Sequence, residues 1–369
     1  MSPIESKKPK ILYALQGTGN GHISRARDII PELLRIADID ILVSGTQADI
    51  QLPHPVKYSF HGLSFIFGKK GGIDYIKTFK KANFRSLLKE IKKLDVRKYD
   101  LVLNDFEPVS AWACKLNKVP CIGLSHQAAV SNPRSPKPIQ SDLIGKMVLE
   151  HYAPVEHSYG FHFEKYDTNI FTPVIRSEIR SSTPKNTGHY TIYLPSYSED
   201  RILKTLKPFH NIKWEVFSKH TKKIRKEGNV TIQPIQNEKF IDSLVNCDGI
   251  ICGAGFETPA EAIFLGKKLL TIPMKGQYEQ HCNAAALKKM GVGVMKNFKK
   301  KRIPEIKKWL ESEQRIQIDF KNETESILKM ILDKHMVNSS RMSIPFKGTI
   351  QTASLLRKRR SIEKMIAGL

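Results

Sequence analysis

Short apolar runs recur along the chain. Each is closed by turn residues and followed by apolar positions at helical spacing. The run ILYAL at 11–15 predicts a buried strand. A Gly-rich turn at 16–22 follows, then a helix from 23 to about 36 with Ile29, Ile30, Leu33 and Leu34 on its apolar face. Residues 39–43 predict a second strand and 74–94 a helix. Short buried strands are expected at 101–103 and 121–124, with a helix at 109–116 between them. Strand and helix in alternation predict α/β architecture on parallel sheets.

Periodicity fades after about residue 166, and 171–188 (FTPVIRSEIRSSTPKNTG) is rich in Pro, Ser and Thr. That stretch reads as an interdomain linker. A second series then begins, with strands expected at 190–194, 213–217, 230–234, 249–252 and 269–272. A turn at 195–198 leads to a helix from about Glu199, and further helical patterns fall at 240–245, 259–265 and 278–290. The expected organisation is two Rossmann-like, doubly wound parallel-sheet domains, at 1–170 and 189–335. A tail at 336–369 is expected to be helical and docked on the body.

Composition changes the picture little, and charge changes it more. The 369 residues, 40% hydrophobic and 26% charged, are those of a globular chain long enough for two domains. No apolar run approaches the ~20 residues that span a bilayer, and no secretory signal is evident. Five scattered Cys without a C-x-x-C argue against a disulfide scaffold or zinc ribbon and fit a cytoplasmic location. Sixty Lys+Arg against 36 Asp+Glu leave a net charge of +24. The excess fits an anionic partner, including a membrane surface on the inner face of the cytoplasmic membrane. It is dense at 69–98, with eleven basic and three acidic residues, and in the tail. A solvated helix face is the plainer reading of the first of these. No helix-turn-helix, RNA-recognition signature or aromatic–basic interleaving is present, so no specific nucleic acid is expected.

Two loops could carry chemistry. Gly17-Thr18-Gly19-Asn20-Gly21-His22 lies between the first strand and first helix, where Gly allows close backbone approach and a helix N-terminus attracts anions. It fits neither G-x-x-x-x-G-K-[ST] nor G-x-G-x-x-G. His22 stands at the carboxyl end of the first strand, well placed as a general base. Asp105, at the end of another strand, is a candidate to orient it, with Glu107 as rival; an N-cap is the plainer role for Asp105. The second loop is Gly253-Ala254-Gly255-Phe256-Glu257-Thr258-Pro259-Ala260-Glu261. Thr258 and Glu261 match a capping box with Pro259 at the first helical position. Beyond the next strand, Glu279, Gln280 and Asn283 suit recognition of sugar or ribose hydroxyls.

Together these motifs resemble the GT-B nucleotide-sugar glycosyltransferases, both the family 28 group, which contains the peptidoglycan lipid-intermediate N-acetylglucosaminyltransferase, and the UDP-glycosyltransferases. The Gly17, Gly19, Gly21 loop resembles their acceptor-side loop, 255–261 their donor-binding stretch, and Pro273, Gln280 and Asn283-Ala284 their sugar-contacting loop. The resemblance implies two domains facing across a cleft, acceptor side first and nucleotide-sugar side second. It implies that Glu261 binds the donor ribose and that Gln280 and Glu279 contact the sugar. The diphosphate would lie on Gly253, Ala254, Gly255 and Phe256 and on the turn with Ser196 and Ser198, and the main chain near Ile235 would read the base. His22, with Asp105, would deprotonate the acceptor hydroxyl. Transfer would be inverting, from a nucleotide-linked donor with UDP as first candidate, with no cofactor or bound metal; the acceptor is a hydroxyl whose identity the resemblance does not carry over, a lipid and a glycan being candidates.

The one D-x-D triplet, Asp38-Ile39-Asp40, precedes a strand and reads as a turn rather than a metal site. The acceptor side departs from family 28 at 104–108 and at Ser125-His126-Gln127, where His126 is a second candidate base. A nucleotide-sugar 2-epimerase and a basic nucleic-acid or anionic-surface binding protein are the alternatives.

Overall fold

The computed structural model describes residues 8–45, 52–63, 84–140 and 142–339. The apolar runs of the first half become a seven-stranded, wholly parallel sheet: β1 (Lys10–Gln16), β2 (Asp38–Ser44), β3 (Tyr58–Phe60), β4 (Leu101–Asp105), β5 (Cys121–Ser125), β6 (His157–Phe161) and β7 (Ile170–Phe171). Their spatial order is β3-β2-β1-β4-β5-β6-β7. Alternation along β1 feeds two cores. Ile11, Tyr13 and Leu15 join one face with Ile23, Ile30 and Leu33 of α1 (Asn20–Ile36). Leu12 and Ala14 join the other with α2 (Phe84–Lys93) and α3 (Pro108–Asn117). Two short helices follow, α4 (His126–Ser131) and α5 (Leu143–His151).

The 171–188 stretch carries one helical turn, α6 (Ser177–Arg180), before the second sheet. That sheet runs β10-β11-β9-β8-β12-β13-β14. Its strands are β8 (His189–Tyr193), β9 (Lys213–Ser218), β10 (Arg225–Glu227), β11 (Val230–Pro234), β12 (Gly249–Gly253), β13 (Lys268–Ile272) and β14 (Gly293–Val294), and only β10 is antiparallel to its neighbour. Its helices are α7 (Glu199–Leu206), α8 (Asn237–Asn246), α9 (Glu257–Phe264), α10 (Tyr278–Lys289) and α11 (Ile303–Glu311).

The last described helix, α12 (Thr324–Ser339), differs from the sequence expectation. It lies mostly within the span assigned to the second domain, yet it packs on the first. Ile327, Leu328, Ile331 and Leu332 are buried in the core that contains α1, and Tyr159 Oη and His335 Nε2 lie 2.9 Å apart. Burying each such aliphatic side chain is worth about 1.5–3 kcal/mol, which explains why the chain crosses back. Residues 340–369 of the basic tail and 69–83 of the basic 69–98 segment, with the first part of the helix expected at 74–94, lie outside the described residues. No described helix is long and apolar enough to cross a membrane.

Candidate active site

Both sheets reverse their strand order once, at β1/β4 and at β8/β12. In open α/β sheets such a point leaves a crevice beyond the strand carboxyl ends. Here the two crevices face one another, and a cavity of about 1090 Å³ lies between the lobes. The loop after β1 and the end of β4 line it from one side, and the turns after β8, β11, β12 and β13 from the other. Asp38 and Asp40 sit at the opposite end of β2, where Asp40 pairs with Lys57.

Gly19 starts α1 at φ 93°, a left-handed conformation that glycine adopts without strain. The helix then turns His22 and Arg25, three residues apart, to the same side. His22 Nδ1 lies 2.9 Å from Asp105 Oδ1. Asp105 is fully buried, and Arg25 Nη2 donates to both its oxygens at 2.8 Å. Burial alone would push the Asp105 carboxyl up, but the Arg25 guanidinium and then His22 outweigh it and hold it below the usual carboxylate range. An ionised acceptor on Nδ1 fixes the ring hydrogen there and leaves the Nε2 lone pair on the far side. Gln127 Nε2 lies 3.4 Å from that Nε2 and donates to Glu279 Oε2 at 2.9 Å.

Arg25 also reaches across the cleft. Its Nη1 donates to Glu257 Oε1 on α9. Burial pushes the Glu257 carboxyl up to about 7, because the opposing pull of Arg25 does not cancel the burial and the charges of Glu261 and Asp105. One turn along α9, Glu261 is held by Arg176, whose Nε and Nη2 donate to its two oxygens at 2.5 and 2.7 Å. The third Arg176 nitrogen donates to Asn237 Oδ1 at 2.7 Å. Glu261 still lines the cavity, and a carboxylate has about four lone-pair sites, so two remain for other donors. Gln280 Oε1 accepts from the Met274 amide at 2.8 Å.

Ser196, Ser198, Ile235, Gly253, Gly255, Phe256, Glu279 and Gln280 all line the cavity, as do Gly19, Gly21 and His22. Several expectations need correction. Gly17, Ala254 and Glu107 do not line it. The Gly17 amide donates to the Ser44 carbonyl, where a Cβ would meet Val43, and the Ala254 carbonyl accepts from Asn283. Glu107, not Asp105, caps α3, accepting from the Val109 and Ser110 amides at 2.7 and 2.6 Å. Its carboxylate is spent there and does not touch His22. His126 is buried, with Nδ1 2.8 Å from the Phe161 carbonyl and Nε2 2.8 Å from Asn283 Oδ1, so both nitrogens are occupied. Its ring stacks on Phe256 at 4.0 Å and joins the lobes. The capping box does not form: α9 begins at Glu257 without a side-chain cap, and Glu261 faces Arg176 instead. Among the described residues no three His, Cys, Asp or Glu converge as a metal site.

The sequence reading missed Arg25, Gln127, Arg176 and Glu257. For two of them spacing held a signal. Arg25 follows His22 by three residues and Glu257 precedes Glu261 by four, so each shares a helix face with a residue already singled out.

Two parallel α/β lobes closing on a polar cleft at both switch points form the GT-B architecture of nucleotide-sugar glycosyltransferases. The model of glycosyl transferase family 1 matches residues 9–312, and the chain belongs to that family. It is a glycosyltransferase. No curated protein matches the chain. Among solved structures, a UDP-glucosyltransferase from Polygonum tinctorium is similar over 98% of this chain and 99% of its own, at 13% identity and a TM-score of 0.56. MurG from Acinetobacter baumannii is similar over 88% of this chain and 99% of its own, at 12% identity and a TM-score of 0.52. A UDP-N-acetylglucosamine 2-epimerase is similar over 93% of this chain and 100% of its own, at 11% identity and a TM-score of 0.51. These likenesses are of fold, and the epimerase shows that fold alone does not set the reaction.

Proposed function

We propose that the chain moves a sugar from a UDP-linked donor to a hydroxyl acceptor with inversion, without a bound metal, and with His22 as general base. The observation that carries this is the buried Asp105 carboxylate 2.9 Å from His22 Nδ1, which turns Nε2 toward the cleft. The acceptor O–H gives its proton to Nε2 as its oxygen attacks the anomeric carbon. The bond from that carbon to the diphosphate breaks on the opposite face, and its electron pair leaves with the nucleotide. Asp105 stabilises the imidazolium formed.

On the donor side, Glu261 binds the ribose hydroxyls through the lone pairs that Arg176 leaves. Gln280 and Glu279 hold the sugar, and the main chain at Ile235 meets the base. The turns at 196–198 and 253–256 open α7 and α9, whose N-termini favour the charge growing on the diphosphate. Two structural neighbours, a UDP-glucosyltransferase and a UDP-N-acetylglucosamine 2-epimerase, support UDP as the nucleotide.

The test is His22→Ala with UDP-sugar and a panel of hydroxyl acceptors. The expected result is a kcat lower by roughly 10²–10⁴-fold, with UDP binding by calorimetry unchanged and activity insensitive to EDTA. Normal turnover in that variant would overturn the base assignment. A UDP, GDP, dTDP and CDP thermal-shift panel reads the nucleotide, since a ligand at 100 times its Kd adds about 2.7 kcal/mol to stability. Epimer formation from UDP-N-acetylglucosamine without acceptor would point to the epimerase reaction instead.

A further inference from the structure

Four charged or titratable groups form a row that crosses the cleft: His22, Asp105, Arg25 and Glu257. The first three belong to the acceptor lobe, while Glu257 belongs to the donor-lobe helix α9. Arg25 and Asp105 are buried and Glu257 nearly so, with 1%, 0% and 15% of their side chains exposed, so solvent does little to screen them. The guanidinium grips both Asp105 oxygens. A guanidinium whose Nη2 is shared between both oxygens cancels much of the negative charge that a base-orienting carboxylate must present to an imidazolium.

We propose that Glu257 is a positioning residue for the acceptor base. By taking up the other arm of Arg25, it leaves Asp105 with enough negative charge to stabilise protonated His22, and it does so only when the lobes are together. With Glu257 ionised, the triplet Asp105–Arg25–Glu257 carries one net negative charge; without it the triplet is neutral. The consequence is that the base reaches full strength only in the closed cleft. Glu257 meets the donor lobe's own chemistry too, because it starts the helix that carries Glu261.

The neighbouring charges set how the row responds to pH. Tyr13 from β1 lies beneath it, Glu261 lies one turn away on α9, and Arg176 faces Glu261. Glu279 approaches through Gln127. Burial pushes Glu257 up to about 7, with Glu261 and Asp105 adding to it. A bound diphosphate would hold that proton longer still. The kcat profile should therefore contain a rise with its midpoint at or above pH 7, as Glu257 ionises and strengthens the base.

This inference rests on the proposed transfer reaction, and one series of variants separates the two. Glu257→Gln keeps the shape and loses the charge. It is expected to lower the kcat plateau by roughly tenfold or more and to abolish the rise near pH 7, with the Kd for UDP unchanged or tighter. Glu257→Asp, which keeps the charge, is expected to retain the rise. Arg25→Lys keeps the charge but loses the fork; it should also lower kcat, and combining it with Glu257→Gln should add little further loss. A higher donor KM with kcat and its pH profile unchanged would overturn the proposal and make Glu257 an ordinary donor contact. Identical behaviour of Glu257→Gln and Glu257→Asp would overturn it as well. If the unaltered chain neither binds UDP nor transfers sugar, the proposed function has failed rather than this inference.

Discussion

Asp105 is closed off from water between Arg25 and His22, and this has two consequences that can be read separately. Asp105→Asn removes the acceptor that sets the His22 tautomer, so kcat should fall by roughly 10²–10⁴-fold while UDP still binds. The second readout is acid stability. The folded carboxyl is held below its ordinary value, so its stabilisation is full above about pH 4 and is lost as pH falls through the folded value. Acid unfolding followed by circular dichroism should show this acid-labile part in the unaltered chain and not in Asp105→Asn. Glu257 has the opposite sign. Between about 4.3 and about 7 the fold keeps a proton that the unfolded chain releases, so its contribution falls as pH rises through that window. Arg176 gives a third residue-level expectation. Arg176→Met strands the buried Glu261 carboxylate and should cost about 3–5 kcal/mol in denaturant unfolding. An unchanged midpoint would mean that Glu261 finds another partner. Asp105 stood out because it ends an apolar strand, and His22 because it follows one in a Gly-rich turn that opens a helix. Arg176 did not, because it lies in a polar, Pro-containing stretch where nothing in the local pattern distinguishes one basic residue from the next.

At the scale of elements, legibility followed burial on both faces. The central strands β1, β4, β5, β12 and β13 are continuous apolar runs because helices cover both sides of them, and such runs stand out in a sequence. The edge and near-edge strands β3, β6, β7, β10 and β14 have two to five residues, some of them polar or exposed, and none was anticipated. Helix α5 also went unread, although it lines the cleft through Gly145, Val148 and Leu149. Gly145 packs against Tyr278 at the start of α10 and against Asp142, the N-cap of α5, so a side chain there meets the opposite lobe first and its own helix cap next. In Gly145→Ala the helix preference for alanine, about 1 kcal/mol, offsets the crowding of the Asp142 cap, whose Oδ1 accepts from the residue 145 amide at 2.8 Å. The substitution should wedge the lobes apart, lowering kcat/KM by more than tenfold while the melting temperature changes little. A parallel loss of both would mean that the glycine serves the helix and not the fit between lobes.

For the whole molecule, the crossing of α12 back to the first lobe decides how the two halves share stability. The inner core is continuous: it runs from β1 and α1 through Phe256 to α9, Leu269 and α10, and α12 closes it at the acceptor end. Because α12 follows the donor lobe in sequence but buries its apolar face on α1, neither lobe has its full complement of packing without the other segment. Calorimetric unfolding is therefore expected to be a single transition. Ile331 is fully buried in this contact, and Ile331→Ala should cost about 2–5 kcal/mol through lost burial and the cavity left behind. The cost falls on the α1 side, so the single transition should split, with the acceptor lobe melting first. Hydrogen exchange should then report lost protection in α1 before the donor-lobe sheet. Helix α1 carries His22 and Arg25, so turnover should drop at temperatures where UDP still binds. If exchange instead rose equally in both sheets, the lobes would be coupled through the cleft contacts of His126 and Arg25, and α12 would be a passive cover.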